Sequence, residues 1–212
     1  MLVADREYVA ADGTADLDRA VQKALVRASG RPGKHAAVIA EPASTVRRTW
    51  FDTFDWRLHR AGFALQRIER SRATGTLRLT QSNGDDVLSV AAHPQAQPAA
   101  RVAYPLDTVV PEGPMRSLLE PVVEMRALQP VATQRFVVRT YRVLNDDEKT
   151  VARVVIEHPT GGGPGKASGI GSRVSVVASR GYTAEAAATA RIVAKVPGLT
   201  PSDQSMLAQA LA

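Results

Sequence analysis

The chain of 212 residues contains no cysteine, which excludes disulfides, thiolate metal centres and cysteine nucleophiles together. Aromatic residues make up only 5% of it, so Val, Ala and Leu have to fill most of the interior. No apolar run approaches membrane-spanning length, and the opening MLVADREY turns charged almost at once, without the apolar stretch of a secretion signal. A cytoplasmic protein is expected from these absences. Neither Gly-x-Ser-x-Gly nor His-Glu-x-x-His occurs, so no nucleophile elbow and no zincin helix is indicated. The four histidines, His35, His59, His93 and His158, show no metal-ligand spacing and read as surface or turn residues. TGGGPGKA departs from a phosphate-binding loop at two places: Thr160 stands at the first glycine position and Ala167 at the magnesium-binding hydroxyl. It reads as a flexible linker.

What is present begins with an ordinary hydrophobic fraction of 44%, enough for a full core and one large domain. The net charge of +6 and a pI near 10.0 point to an anionic partner: phosphates, nucleic acid or an acidic protein. Many arginines fall between Arg47 and Arg78, in and around TWFDTFDWRLHRAGFALQRIERS. The aromatics interleaved there read as inward-facing core residues, which leaves no stacking platform for bases, so nucleic acid is not the expected ligand.

Leu17, Ala20, Val21, Ala24, Leu25 and Ala28 recur at helical spacing behind Asp16 and Asp18, and predict a helix over Thr14 to Ala28 that Gly30 stops. Ala36 to Ala40 and Val46 to Phe51 read as strands, and Thr53 as the cap of a brief helix ended by Gly62. FALQRIER, TLRLT and VLSVAA follow as strands, with a loop over Pro94 to Ala100. Pro114 to Met125 predicts a helix broken near Pro121. RFVVRTYRVL, TVARVVIEH and SRVSVVAS give three more antiparallel strands, the first two joined by NDDEK. Helices are predicted over Thr183 to Val196 and Thr200 to Leu211, with Thr200 as N-cap and Pro201 at the first helical position. The expected organisation is α+β, with eight strands in an antiparallel barrel or strongly curved sheet and flanking helices. Arg135, Val137, Arg139 and Tyr141 share one strand face, Arg153 and Glu157 another, and Arg173 and Ser175 a third. Periodicity alone leaves open whether these polar faces line a lumen or the exterior.

FDTFDWRLHRAGFALQRIER resembles the signature of the CYTH family, the triphosphate tunnel metalloenzymes: an aromatic-Asp-Thr strand end, a short helix, then Gly-x-x-Leu and a charged strand. TGTLRLTQS resembles the family's following strand. PEGPMRSLLEPVVEMRALQPVATQRFVVRTYRV resembles the helix, Leu-x-Pro turn and Arg-bearing strand of those CYTH domains that precede a helical CHAD domain. The resemblance covers about Thr45 to Ala190. It implies an eight-stranded tunnel barrel over residues 1–198, whose arginines and lysines bind triphosphate or polyphosphate and whose carboxylates hold magnesium or manganese.

Residue by residue, several of the family's groups are replaced. The opening Glu-x-Glu-x-Lys is best matched by Asp5-Arg6-Glu7-Tyr8-Val9, and the Arg-x-Arg after the glycine by Gln66, Arg67 and Ile68. The final Glu-x-Glu-x-Glu becomes Arg173, Ser175 and Val177; Arg153 replaces an acid and Glu157 remains. The expected reading is therefore a degenerate, non-catalytic domain that binds triphosphate, polyphosphate or another anion directly through Arg78, Arg135, Arg139, Arg153 and Arg173, with no resident cofactor. The first alternative is a triphosphatase dependent on magnesium or manganese, with Asp5, Glu7 and Glu157 as metal ligands and Glu7 essential. The second is a scaffold in which residues 199–212 form a helix exposing Met206, Leu207 and Leu211 to a following domain, a second copy or another protein.

Overall fold

The computed structural model describes residues 4–10, 16–29, 37–70, 75–81, 86–92, 102–160, 171–202 and 206–207. Along the chain these form β1 (Ala4–Ala10), α1 (Leu17–Ala28), β2 (Ala37–Ala40), β3 (Ser44–Thr53), α2 (Arg57–Arg60), β4 (Phe63–Glu69), β5 (Gly75–Gln81) and β6 (Asp86–Ala91). Then come α3 (Leu106–Val109), α4 (Pro114–Val123), β7 (Leu128–Leu144), β8 (Thr150–Thr160), β9 (Arg173–Ala178), α5 (Thr183–Val193) and β10 (Leu199–Pro201). The chain divides into two compact units, and the long strand β7 gives its first half to one and its second half to the other. No helix among the described residues is long and apolar enough to cross a membrane.

The first unit takes residues 1–44, 137–159 and 171–203. Its strands run in the order β10-β1-β9-β8-β7, with β2 also paired to β7. Tyr8 lies opposite Val174, and Val174 opposite Ile156. Side chains of opposed residues share a face, so Tyr8, Val154, Ile156, Val174 and Val176 form one apolar surface. Against it pack Leu17, Val21 and Leu25 of α1 and Ala186, Ala190 and Val193 of α5. Each buried Val, Leu or Ile contributes roughly 1.5–3 kcal/mol before chain entropy is subtracted. The Tyr8 hydroxyl finds its partner in this core by donating to the Ala190 carbonyl, 3.0 Å away.

The second unit takes residues 45–136, 160–170 and 204–212. Its strand order is β7-β3-β4-β5-β6. Phe51, Leu65, Leu77 and Leu79 form one face and pack with Leu58 of α2, Val109 of α3 and Met115, Leu119 and Val123 of α4. α2 is too short to hold itself together. Its exposed first-turn N–H groups are met by the buried Asp52 carboxylate, which accepts from Leu58 N at 2.9 Å, His59 N at 3.0 Å and Thr53 N at 2.7 Å. The expected Thr53 contact is also present, from Arg57 N to Thr53 Oγ1 at 2.9 Å. Gly62, with φ of 76°, makes the left-handed exit to β4.

Four expectations are corrected. Ten strands form among the described residues where eight were expected, the additions being β1 and β10. Thr200 and Pro201 belong to β10, paired with Val9 and Tyr8 of β1, and do not open a helix. Proline suits an edge strand as well as a first helical turn, and pairing with β1 decides between them. Met206 and Leu207 are helical, but Leu207 is buried at 4% exposure, not exposed. The remainder of 203–212 lies outside the described residues, as do the turn at 83–85, the loop at 94–100 and the glycine-rich stretch at 161–170. Finally, α4 runs through Pro121 and ends at Val123, two residues beyond the proline whose missing N–H removes one helical hydrogen bond.

The Asp52 clamp is testable. Replacing Asp52 by Ala leaves three backbone donors without their acceptor and is expected to cost about 2–4 kcal/mol, read as a lower midpoint in urea unfolding. A loss under about 0.5 kcal/mol, within the range of ordinary surface substitutions, would show that water replaces the carboxylate.

Candidate functional site

In the first unit, one face of the β1-β9-β8 sheet is covered by α1 and α5, and the alternate residues Glu7, Arg173, Ser175, Arg153 and Glu157 turn to the other. Arg173 Nη1 donates to Glu7 Oε2 at 2.7 Å. The two residues sit diagonally across the β1/β9 pair, since Val9 opposes Arg173 and Glu7 opposes Ser175, a separation that long side chains span. On the other side Glu157 of β8 lies directly opposite Arg173 in register. Arg173 and Glu157 are buried at 3% and 7% exposure. A buried guanidinium thus stands on the strand between two carboxylate-bearing strands, and burial at this depth favours such pairing of opposite charges.

In the second unit the face turned away from α2 and α4 carries Arg48 and Trp50 of β3, Gln66 of β4, Arg78 of β5 and Ser89 of β6. Gln66, Arg78 and Ser89 follow one another across the register. Arg48 Nη1 donates to Gln66 Oε1 at 3.0 Å, and its guanidinium carbon lies 5.7 Å from the centre of the Phe136 ring, within cation–π range. Gln134, buried at 3% exposure, donates through Nε2 to the carbonyls of Thr160 and Arg135. Its Oε1 has no hydrogen-bond partner among the described residues. Asp52, at the end of β3, is taken up by α2, and Glu69 pairs with Arg67 at 3.0 Å on the opposite face. Besides Ile68, opposite Arg48, and Ala64, opposite Thr80, this face carries arginine, amide, hydroxyl and aromatic side chains.

The residues singled out from the sequence divide between faces. Glu157, Arg173 and Glu7 come together in the first unit, Arg153 sharing their face but opposite Val177, and Arg78 joins Arg48 and Gln66 in the second. Arg135 and Arg139 do share a face of β7, but it is the other one. Arg135 is exposed and alternates with Gln134 and Phe136, while Arg139 Nε pairs with Asp18 Oδ2 of α1 at 2.6 Å. Asp5 lies in β1, its side chain outside the described residues. Sequence reasoning missed Arg48. Its signal, alternation with Trp50, was obscured because the surrounding aromatics mark the whole stretch as core.

The fold resemblance implies a divalent metal, and the residues here do not fit one. Glu7 is engaged by Arg173, and Glu157 faces the same side chain across β8/β9. A doubly charged ion about 4 Å from a guanidinium meets repulsion of about 8 kcal/mol at an effective dielectric constant of about 20. No group of three or more metal-ligating side chains occurs among the described residues.

Solved structures share this fold. A proposed adenylyl cyclase from Hippeastrum, HpAC1, described as having a dominant triphosphatase activity, superposes with a TM-score of 0.55 at 11% identity, covering 96% of this chain and 92% of its own. A proposed adenylate cyclase from Bacillus halodurans gives 0.53 at 13% identity, covering 92% and 89%. A proposed adenylate cyclase from Vibrio parahaemolyticus gives 0.52 at 10% identity, with 98% of each chain covered. No protein-family model matches the chain, and neither does any curated protein. The chain has the CYTH fold of these proteins, at 10–13% sequence identity to them.

Two outcomes are expected. Glu7 is about two-fifths exposed, so solvent screens its pair with Arg173. Glu7→Ala should cost about 1–2 kcal/mol in urea unfolding, and a change below about 0.3 kcal/mol would mean Glu157 alone satisfies the guanidinium. Tyr141 reports the other face. Burial pushes its phenol above the ordinary range, the Asp18 carboxylate adds to the effect and Arg139 opposes it. A raised folded-state value leaves stability intact below the ordinary phenol range, and stability is lost as pH rises from there towards the folded value. Tyr141→Phe should remove that part of the alkaline loss, measured as thermal midpoint against pH. An unchanged slope would place the loss elsewhere.

Proposed function

We propose that this chain is a CYTH-like domain that binds triphosphate, polyphosphate or a similar anion through arginines without hydrolysing it. The observation that carries the reading is the position of Arg173 between Glu7 and Glu157, where metal-ligating acids would otherwise stand. A carboxylate set that holds a guanidinium cannot also hold a catalytic cation at the same place. The arginine in turn suits phosphate oxygens, which accept paired N–H donors in its plane.

In the second unit the arginines that suit such an anion are Arg48 and Arg78; in the first unit, taken by itself, they are Arg153 and Arg173. Gln66, Ser89 and Gln134 offer neutral hydrogen-bonding groups in the second unit, of the kind that orient a phosphate chain without adding charge. Arg135 and Arg139 are left out of the set because they lie on the opposite side of β7. The fold relation to HpAC1 favours a second reading, turnover of a triphosphate with magnesium or manganese. That reading has to find its ligands beyond Glu7 and Glu157.

Titration calorimetry with tripolyphosphate in the presence of a chelator is the test. Binding is expected to weaken steeply with added salt and to fall at least about fivefold, about 1 kcal/mol, in Arg78→Ala. No heat of binding, or an affinity indifferent to Arg78, overturns the proposal. So does release of phosphate from a triphosphate with added magnesium or manganese that Glu7→Gln abolishes.

A further inference from the structure

The α1-facing side of the β8/β9 pair carries a polar set that the anion reading does not use. Because Glu157 opposes Arg173, the next residues along, His158 and Ser172, are cross-strand neighbours on the opposite face, the one that meets α1. His158 Nδ1 lies 2.9 Å from Ser172 Oγ, and His158 Nε2 lies 2.8 Å from Asp18 Oδ1 in the first turn of α1. The second Asp18 oxygen is held by Arg139 Nε at 2.6 Å. A carboxylate only accepts, so the Nε2 proton points to Asp18, and Nδ1 is left as the acceptor for the serine hydroxyl.

We propose that Ser172, His158 and Asp18 form a serine nucleophile site acting on small carboxylic esters. Nucleophile, base and orienting carboxylate stand within hydrogen-bond distance in that order. Such a site is recognised by geometry and role, independently of chain order or a local motif. The His158 and Asp18 side chains are 29% and 28% exposed, which leaves an ester a route of approach while the ring is held on both sides. Ser172 is carried on a fixed backbone, since its carbonyl accepts from Ala10 N at 2.9 Å. The Asp16 side chain does not cap α1, and the positive end of that helix lies at the residue that anchors the imidazole, favourable to an oxyanion formed nearby.

In the reaction, Ser172 Oγ bonds to the ester carbonyl carbon as its proton passes to His158 Nδ1. The bond to the alkoxy oxygen then breaks, and that oxygen takes the proton and departs as the alcohol. Water repeats the sequence on the acyl-serine, giving a proton to His158, releasing the acid and restoring Ser172. The competing view is a purely structural clip between α1 and the sheet, which requires the same hydrogen bonds but gives Ser172 no reactivity.

The test is labelling of the whole protein with a fluorophosphonate, which loses fluoride to an activated serine, followed by peptide mass mapping. The wild-type protein should carry the adduct on Ser172 and label at least tenfold faster than in urea. The rate should depend on pH, and His158→Ala should lose both the rate and that dependence while its circular-dichroism spectrum stays unchanged. Asp18→Asn should label at least tenfold more slowly, with part of the rate recovered by Asp18→Glu. Mapping on the wild-type chain keeps the test decisive if a variant fails to fold. No adduct on Ser172 above the urea background overturns the proposal, and so does labelling at the wild-type rate in His158→Ala or in Asp18→Asn. Tripolyphosphate binding is measured separately, so the two proposals stand or fall independently.

Discussion

In a β-strand, consecutive side chains leave by opposite faces, and in each unit of this chain helices cover only one of them. That asymmetry forces apolar residues onto the helix side and leaves the other to polar chemistry. Val174 and Val176 meet α5 and α1 while Arg173 and Ser175 cannot; Leu77 and Leu79 meet the helix-side core while Arg78 cannot. The placement of Arg173, Arg153, Glu157 and Arg78 follows from this, because shifting their strands by one residue would send them into the helix contact; Arg139 and Arg67 stay on the helix side, where Asp18 and Glu69 pair with them.

The charged face of the first unit uses a buried cation to join three strands. Arg173 on β9 reaches Glu7 on β1 and faces Glu157 on β8. Such a group contributes more to specifying one register than to net stability, since desolvation offsets much of the Coulomb attraction. It also changes what the face can bind. Two acids with an arginine between them are poor company for a divalent ion, and an anion reaching the guanidinium has to compete with Glu7. The second unit differs, offering arginines among amides, a hydroxyl and two aromatic rings.

Much of the fold was legible in the residues. Alternation placed β4, β5, β8 and β9 nearly at their bounds and β7 at its end but not its start, which lies at Leu128 and not Arg135, and the 3.6-residue period placed α1 and α5. The short elements were not. β10 has three residues, and Thr200-Pro201 carries as good a helix start as it does a strand end; only the neighbouring β1 settles it. α3, a single turn over Leu106–Val109, is too brief for a period to register. Of the candidate site, the sharing of faces within one strand was readable, as for Arg135 with Arg139 and Arg153 with Glu157. Which face of β7 corresponds to which face of β8 was not, and so Arg139 is found on Asp18, away from Arg173.

The sequence by itself determined the strand and helix content, the basic balance, the presence of Arg173, Ser175 and Val177 on one strand face, and the resemblance that predicts the fold. These are properties of residue type and short-range spacing, which survive in a linear string. Only the tertiary structure decided that Arg173 stands between Glu7 and Glu157, that Asp52 holds α2, and that His158 bridges Asp18 and Ser172. Each of these contacts joins residues from different elements, and partners brought together by strand register and helix packing leave no periodic trace in the chain.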